Sequence, residues 1–203
     1  MLARTKARES LPALLKEVRA CRICAKHLPH GPRPVLRLSS TARICIAGQA
    51  PGIRVHNTGI PYNDPSGERL RAWMDVDSDT FYNESRIAIV PMGFCFPGYD
   101  AHGGDLPPRP ECAAHWHGRL FAAAPKFSLA LAIGTYAQRY HLGNGVKSNV
   151  TETVRAWREY GTRIIPLPHP SWRNNGWLKK NPWFEKELLP ALRARVRRAL
   201  NAS

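Results

Sequence analysis

Two short segments of this sequence carry side chains that could do chemistry, and each follows an apolar run. Residues 48–52 (GQAPG) come after the first run, with Tyr62 and Asp64 a little downstream, and His169 comes after the last run. An aromatic ring can stack on a planar ligand, a carboxylate can stabilise a cation or orient water, and an imidazole can donate a hydrogen bond. The glycines let the backbone approach a ligand closely. Together these residue types predict a ligand-binding site capable of acid–base chemistry.

The apolar runs before these segments predict the strands that position them. There are four such runs, at 43–48, 86–92, 129–133 and 163–167. Helical patterns alternate with them, at 9–20, 66–74, 111–124, from near 135, and from Asn181 to about Leu200 with a kink expected at Pro190. This order predicts an α/β chain, a three-layer α/β/α fold with a central, mainly parallel four-stranded sheet, and a single domain over 1–203. Because loops at the carboxyl ends of parallel strands share one sheet edge, Gln49 and Asp64 should approach His169.

The charge balance indicates the class of partner. Thirty Lys and Arg against fifteen Asp and Glu give a formal net charge of +15. Such an excess favours a polyanion, nucleic acid before an acidic membrane surface, although it could simply maintain solubility. No run approaches the roughly 18 apolar residues of a membrane span, and the N-terminus lacks a signal-peptide pattern. We therefore expect a cytoplasmic monomer, and no phosphate-binding loop or dinucleotide fingerprint predicts a nucleotide cofactor.

Four of the five cysteines are spaced as metal ligands could be. Cys21 and Cys24 form a C-x2-C pair, and Cys95 and Cys112 bound a loop rich in proline and glycine. In a reducing compartment such cysteines favour metal binding over disulfides. An iron–sulfur cluster, a tetrahedral zinc ion and free buried thiols all remain open. Cys45 lies inside a predicted strand and is expected in the core.

The two catalytic segments, in this order and separation, resemble a known family. GQAPG at 48–52 and HPS at 169–171 resemble motifs A and B of the uracil-DNA glycosylase superfamily. The intervening NTGIPYNDPSGERL resembles the segment that supplies the ring on which the extracted base stacks, which would be Tyr62 here. The cysteine spacing is similar to that of the iron–sulfur members, family 4 and its relatives. That similarity implies a [4Fe–4S] cluster on the four spaced cysteines, with a structural role.

The resemblance implies a monofunctional DNA glycosylase in base excision repair. Such an enzyme hydrolyses the N-glycosidic bond of deaminated bases, uracil first, with hypoxanthine and xanthine as further candidates. His169 would then hydrogen-bond the base oxygen on which negative charge collects. The base-binding residues implied are Gly48, Ala50, Pro51, Gly52, Tyr62 and Asn63. DNA is the implied partner and the nucleoid the implied location.

Motif A departs from the family pattern because it contains no acid. Family 1 has Asp at the position of Ala50, and family 4 has Glu at the position of Gln49. Family 5 also lacks this acid and resembles the chain in the segment that follows, which makes Asp64 the candidate carboxylate. The alternative role of Asp64 is the N-cap of a helix. Gln49 could position the attacking water. Pro91 replaces the asparagine with which family 4 reads uracil, so the pocket could admit other deaminated bases or bind uracil weakly.

The segment after His169 is implied to approach DNA. Trp172 or Arg173 could fill the space left by the flipped base, while the lysines could contact phosphates. The DNA-binding residues implied are Ser171, Trp172, Arg173, Asn174, Lys179 and Lys180. Trp177 and Trp183 are better explained as the edge of the core. Since motif A lacks its acid, the rival hypothesis is a noncatalytic or very slow protein of the same fold that binds damaged DNA.

Overall fold

The computed structural model describes residues 9–201, and a four-stranded parallel sheet lies at its centre. The strands are β1 (Ile44–Ala47), β2 (Ile87–Ile89), β3 (Leu129–Ile133) and β4 (Ile164–Leu167), in the order β2-β1-β3-β4. Ile44 pairs with both Ile87 and Leu129 in the register. The predicted three-layer α/β/α fold is confirmed. β2 is shorter than the apolar run that predicted it, because Pro91 has no N–H for the ladder.

Helices surround the sheet at most of the predicted positions. Within the described residues they are α1 (Leu11–Arg19), α2 (Ile53–Thr58), α3 (Pro65–Met74), α4 (Ser78–Tyr82), α5 (Pro110–Ala123), α6 (Gly134–Leu142), α7 (Val150–Arg155), α8 (Asn175–Lys180) and α9 (Leu189–Asn201). The short α2 lies in the segment expected to be a loop. Over residues 9–201, no helix has the length and apolar character needed to cross a membrane.

The alternation of side chains along each strand builds a separate core on each face of the sheet. On one face, Ile44 and Ile46 pack with residues of α3 and α9, including Leu70 and Leu192. On the other face, Cys45 packs with residues of α1 and α5. Every residue of β1 is buried, as expected for a central parallel strand covered on both sides. Cys45 is 1% exposed, which confirms its place in the core.

The C-terminal helix begins with an irregular turn rather than a simple kink. A π-helical segment, Phe184–Leu188, precedes α9, and Pro190 falls in the first turn of α9. A proline at that position needs no hydrogen-bonding N–H, and widened turns of this kind absorb such an interruption. Trp177 and Trp183 pack edge-to-face at 5.8 Å beside the core, as predicted.

Candidate active site

A cleft opens at the carboxyl ends of β1, β2 and β4, the sheet edge expected to hold the site. The Met92 and Gly93 N–H groups donate to the carbonyls of Gly48 and Gln49, both at 2.9 Å, and hold the first turn against the end of β2. The predicted residues that line the cleft are Gly48, Gln49, Ala50, Pro51, Gly52, Tyr62, Asp64 and His169. Two motifs far apart in the chain therefore share one cavity.

Tyr62 is held in the cleft by close packing against two glycines. A β-carbon at Gly48 would lie 2.6 Å from the Tyr62 hydroxyl, and one at Gly67 would lie 1.7 Å from the Tyr62 carbonyl oxygen. Tyr62 itself has a left-handed φ of 56°, and its carbonyl accepts a hydrogen bond from the Tyr82 hydroxyl at 3.1 Å. Burial, reinforced by the nearby Asp64 charge, raises the pKa of Tyr62. The ring is therefore a neutral surface at physiological pH.

Asp64 caps helix α3 and lines the cleft at the same time. Its Oδ1 accepts a hydrogen bond from the Gly67 N–H at 2.9 Å. Pro65 occupies the first turn, where a missing N–H costs nothing. The cap uses one carboxylate oxygen, and the side chain still borders the cavity. The N-cap is thus confirmed, and it leaves the proposed catalytic role of Asp64 open.

His169 reaches the cleft from a turn that follows β4. Prolines stand on both sides of it, and the Asn174 side-chain amide donates to its carbonyl oxygen at 2.7 Å. Burial lowers the pKa of His169, and the Asp64 charge opposes that shift only in part. The imidazole is therefore neutral at neutral pH and can donate one N–H to a ligand. Asn174 therefore holds the backbone of this histidine in place.

Asp105 is a cleft residue that the sequence interpretation missed. It lies in the long loop between Cys95 and Cys112, and its Oδ2 lies 3.4 Å from where a β-carbon on Gly52 would be. Partial burial raises the pKa of Asp105; Arg173 opposes the shift, and the carboxylates of Asp64 and Asp100 add to it. The cleft thus contains two carboxylates. The place of this loop in the chain could have indicated Asp105, because the loop also follows a parallel strand and therefore opens on the same edge of the sheet.

The residues expected to bind DNA after His169 do not line the cleft itself; they lie in the turn that follows the histidine and in α8. Trp172 is 69% exposed, and the Arg173 guanidinium lies 5.6 Å from the centre of its ring. Lys179 and Lys180 are exposed in the last turn of α8. Ser171 instead caps the turn, because its hydroxyl accepts from the Arg173 N–H at 3.2 Å. An indole this exposed beside cations is suited to contact with a base or a sugar.

Asn63, expected to bind the base, does not border the cleft. Its amide nitrogen donates to the Thr58 hydroxyl at 3.0 Å, which ties it to the end of α2. Its amide oxygen is buried and has no partner within residues 9–201. The structure therefore brings together Tyr62, Asp64 and His169 and places Asn63 beside them, outside the cavity wall.

The four spaced cysteines converge on a second, smaller cavity. Cys21, Cys24, Cys95 and Cys112 all line it, together with Arg109 and Trp116. The Trp116 indole N–H donates to the Cys21 sulfur at 3.3 Å, and the Phe94 N–H donates to the Cys112 sulfur at 3.3 Å. Burial raises the pKa of the Cys95 and Cys112 thiols to about 12. Such thiols stay protonated unless a cation stabilises the thiolates.

A zinc ion and an iron–sulfur cluster place different requirements on four cysteines. Among residues 9–201, no three His, Cys, Asp or Glu side chains converge closely enough to hold a single metal ion. A tetrahedral zinc ion needs four sulfurs at about 2.3 Å from one centre. A [4Fe–4S] cluster takes one thiolate on each iron, so its ligands stand further apart, and it favours N–H donors aimed at the sulfurs. Four thiols at one cavity, two of them accepting N–H hydrogen bonds, are a ligand set of the kind that both metal centres use.

The family can now be assigned from fold, site and comparison together. The fold and the site define an α/β/α protein that brings a tyrosine, a carboxylate and an imidazole together in one cleft at the edge of its sheet. A model of the uracil DNA glycosylase superfamily matches residues 37–193. The chain belongs to this superfamily, as the motifs predicted.

Proposed function

We propose that the protein hydrolyses the N-glycosidic bond of deaminated bases in DNA, uracil first, and leaves an abasic site. One observation carries this proposal: Tyr62, Asp64 and His169 line the same cleft as the motif A turn. An aromatic face, an acid and a neutral imidazole are the groups that extraction and release of a base require. The superfamily assignment supports the same class of reaction.

Binding begins when the damaged nucleotide leaves the DNA stack. The flipped base would lose its stacking partners, and the Tyr62 ring would replace part of that contact. The rigid setting of Tyr62 between Gly48 and Gly67 favours this role, since a fixed ring costs little entropy to order. The exposed Trp172 would enter the space that the nucleotide vacates, with Lys179 and Lys180 on the phosphates.

Cleavage of the glycosidic bond leaves negative charge on the base and positive charge on the sugar. The cleft contains one group that can stabilise each of them. Electrons of the breaking bond move onto the base, and the neutral His169 donates a hydrogen bond to the oxygen that gains negative charge. The sugar becomes cationic, and the Asp64 carboxylate stabilises it and orients the water that attacks. The base departs as an anion, the water adds its oxygen to the sugar carbon, and the proton that the water loses finally neutralises the base. The products are free base and an abasic site.

The floor of the cleft favours a broad choice of base. Pro91 lines the cleft where a discriminating amide stands in family 4, and proline offers no polar side chain. Its carbonyl is hydrogen-bonded to the buried His117 at 3.1 Å, which leaves it less available to a base. We therefore propose that hypoxanthine and xanthine are accepted in addition to uracil.

We also propose that Cys21, Cys24, Cys95 and Cys112 hold a [4Fe–4S] cluster, with zinc as the alternative metal. Its contribution would be structural, since it would join the N-terminal segment to the loop that bears Asp105. The sulfur-directed N–H groups of Trp116 and Phe94 support this ligand set. Purified protein should contain about four irons per chain and absorb in the visible range. Stoichiometric zinc, or thiols that all react freely with a thiol reagent in the native protein, would contradict the cluster.

A noncatalytic protein that captures damaged DNA is the second candidate. The absence of an acid in motif A favours it, because Gln49 can orient a water molecule but cannot deprotonate it. The two candidates separate on oligonucleotides that carry uracil, hypoxanthine, xanthine or hydroxymethyluracil, in single and double strands. Abasic-site formation above the level of a His169→Ala variant supports the glycosylase. Tight binding of the damaged strand without any release of base supports the capture protein.

A further inference from the structure

A strongly basic groove lies at the end of the sheet opposite the cleft. Its lining comes from the segments that precede β3 and β4 and from the last turns of α9. The cleft, in contrast, is built from segments that follow strands. A strand of five residues such as β3 spans roughly 15 Å. The cleft and the groove are therefore separated by at least the length of a strand.

Among residues 9–201, no carboxylate in the lining of this groove balances its positive charge. Four cations line it, Lys126, Arg163, Arg195 and Arg198, and none of its lining residues is acidic. Only Arg195 is held in place, since it donates to the Gly161 carbonyl at 2.9 Å and lies 5.2 Å from the centre of the Trp157 ring. Burial lowers the pKa of Arg195, and the neighbouring Arg198 lowers it further. Like charges pressed together in this way favour an anion between them.

Several other cations of the chain are paired with acids. Arg119 contacts Glu9 and Glu17, and Arg109 contacts Glu111. Arg158 and Lys147 likewise have glutamate partners. The side chains of Lys126, Arg163 and Arg198 have no hydrogen-bond or ion-pair partner within residues 9–201, and all three are exposed. They are free to meet an external ligand.

The remaining groups of the groove suit phosphate. The hydroxyls of Ser128 and Thr162 line it beside the cations. Arginine, lysine and hydroxyl side chains are the usual partners of phosphate oxygens in nucleic-acid complexes. The groove is also open to solvent rather than enclosed, so a phosphate that is part of a nucleic-acid chain could reach it.

We propose that this groove binds the phosphate backbone of a second DNA segment, so that the protein can hold two duplexes at once. The inference goes beyond base excision: it rests on the proposed binding of DNA at the cleft but not on cleavage there, and the groove shares no residue with the cleft. A second segment held at the opposite end of the protein would let it transfer between strands without complete release. Free phosphate or a nucleotide would present the same phosphate oxygens to the groove. The experiment must therefore distinguish these small anions from DNA.

The test compares the full protein with two triple variants of equal charge. Lys126→Gln, Arg163→Gln and Arg198→Gln together neutralise the groove. Lys16→Gln, Arg19→Gln and Arg139→Gln together remove the same charge from exposed positions on α1 and α6. Arg195 is left unchanged because it supports Gly161. Melting temperatures verify that each variant is folded.

Two readouts decide the outcome, on short undamaged duplexes. Wild-type protein and the α1/α6 variant should bind two duplexes and bridge a donor-labelled to an acceptor-labelled one, whereas the groove variant should bind one and lose bridging. In the wild-type protein, the slope of log affinity against log salt for the second duplex should be about −0.9 for each phosphate contact that the groove makes. Equal loss in both variants, or bridging by the groove variant, would overturn the proposal. Displacement of the second duplex by low millimolar inorganic phosphate would also overturn it, in favour of a small-anion site.

Discussion

The side-chain amide of Gln49 donates a hydrogen bond to the carbonyl oxygen of Leu106, at 3.2 Å. This contact joins the motif A turn to the loop between Cys95 and Cys112. Asp105, the residue before Leu106, lines the cleft. Gln49 therefore has a positioning role in addition to the water-orienting role expected of it, because its N–H fixes the loop that delivers a second carboxylate.

Replacing Gln49 by Ala should loosen that loop. Loss of one partly buried hydrogen bond costs roughly 0.5–1.5 kcal/mol, so the overall fold should survive. We expect faster hydrogen exchange in residues 98–108 and about a tenfold lower rate of base release, from displacement of Asp105. Gln49→Glu removes the same donor and should behave alike. Restored activity in Gln49→Glu, with the loop still mobile, would instead assign the family-4 acid function to this position.

Asp105 should control the acid side of the pH–rate profile if its ionised form is needed. Burial raises its pKa in the folded protein, so protonation sets in at a higher pH than for an ordinary aspartate. The kcat/KM of the wild type should therefore fall as pH drops through that raised pKa. Asp105→Asn should remove this step and lower the plateau. An unchanged profile in the variant would exclude Asp105 from the reaction.

The fold could be predicted from the sequence because its signals are local and agree with one another. The four apolar runs and the helices between them gave the sheet and its layers, and the carboxyl-end rule placed His169 near Asp64. The short α2 was missed, because six residues after a Pro-Gly pair carry little periodic signal. Asp105 was missed because its role depends on how a long loop folds back, and the Gln49 contact that fixes this loop is not a local feature.

Asn63 shows that the place of a residue in a family motif does not by itself determine its role. It adjoins Tyr62 and Asp64 in sequence, yet the left-handed conformation of Tyr62 turns the chain so that the Asn63 amide contacts Thr58. Backbone conformation, set here by packing against Gly67, decided which neighbour reaches the cleft. The residue types of the motif alone do not predict this backbone conformation.

Acid should destabilise the protein through the buried His117 and the half-buried His141. Burial lowers the pKa of His117 and of His141 from 6.5 to about 4. As pH falls below about 6.5 the unfolded chain takes up protons first, so stability is lost down to about pH 4. The slope approaches roughly 1.4 kcal/mol per pH unit for each histidine. Urea unfolding between pH 7 and 4 measures this loss.

His141→Phe is the matched variant for this test. The His141 ring packs edge-to-face on Phe121 at 5.4 Å, and its buried Nε2 has no partner in the part of the chain that the structure describes. Phenylalanine keeps the ring contact and removes the titration. The variant should show about half of the wild-type acid sensitivity. If the variant is as sensitive to acid as the wild type, His141 does not contribute to the loss of stability.

Trp172→Ala should affect DNA binding and leave stability unchanged. The indole is 69% exposed, so its removal exposes no core, and the melting temperature should stay within about 1 °C. Base–aromatic contacts contribute roughly 1–3 kcal/mol, which predicts a five-fold or greater loss in affinity for uracil-containing DNA. Fluorescence anisotropy measures it. Unchanged affinity would remove Trp172 from the interface.

The rate of uracil release by Asp64→Asn tests the central claim most directly. Asparagine also caps helices well, so the variant should keep the α3 cap and the stability of the wild type while losing the negative charge. Single-turnover release from a uracil oligonucleotide should then fall by about 10²–10³-fold at an unchanged melting temperature. Release at the wild-type rate by the folded variant would show that Asp64 serves only as a helix cap, and the proposed division of charge between Asp64 and His169 would be wrong.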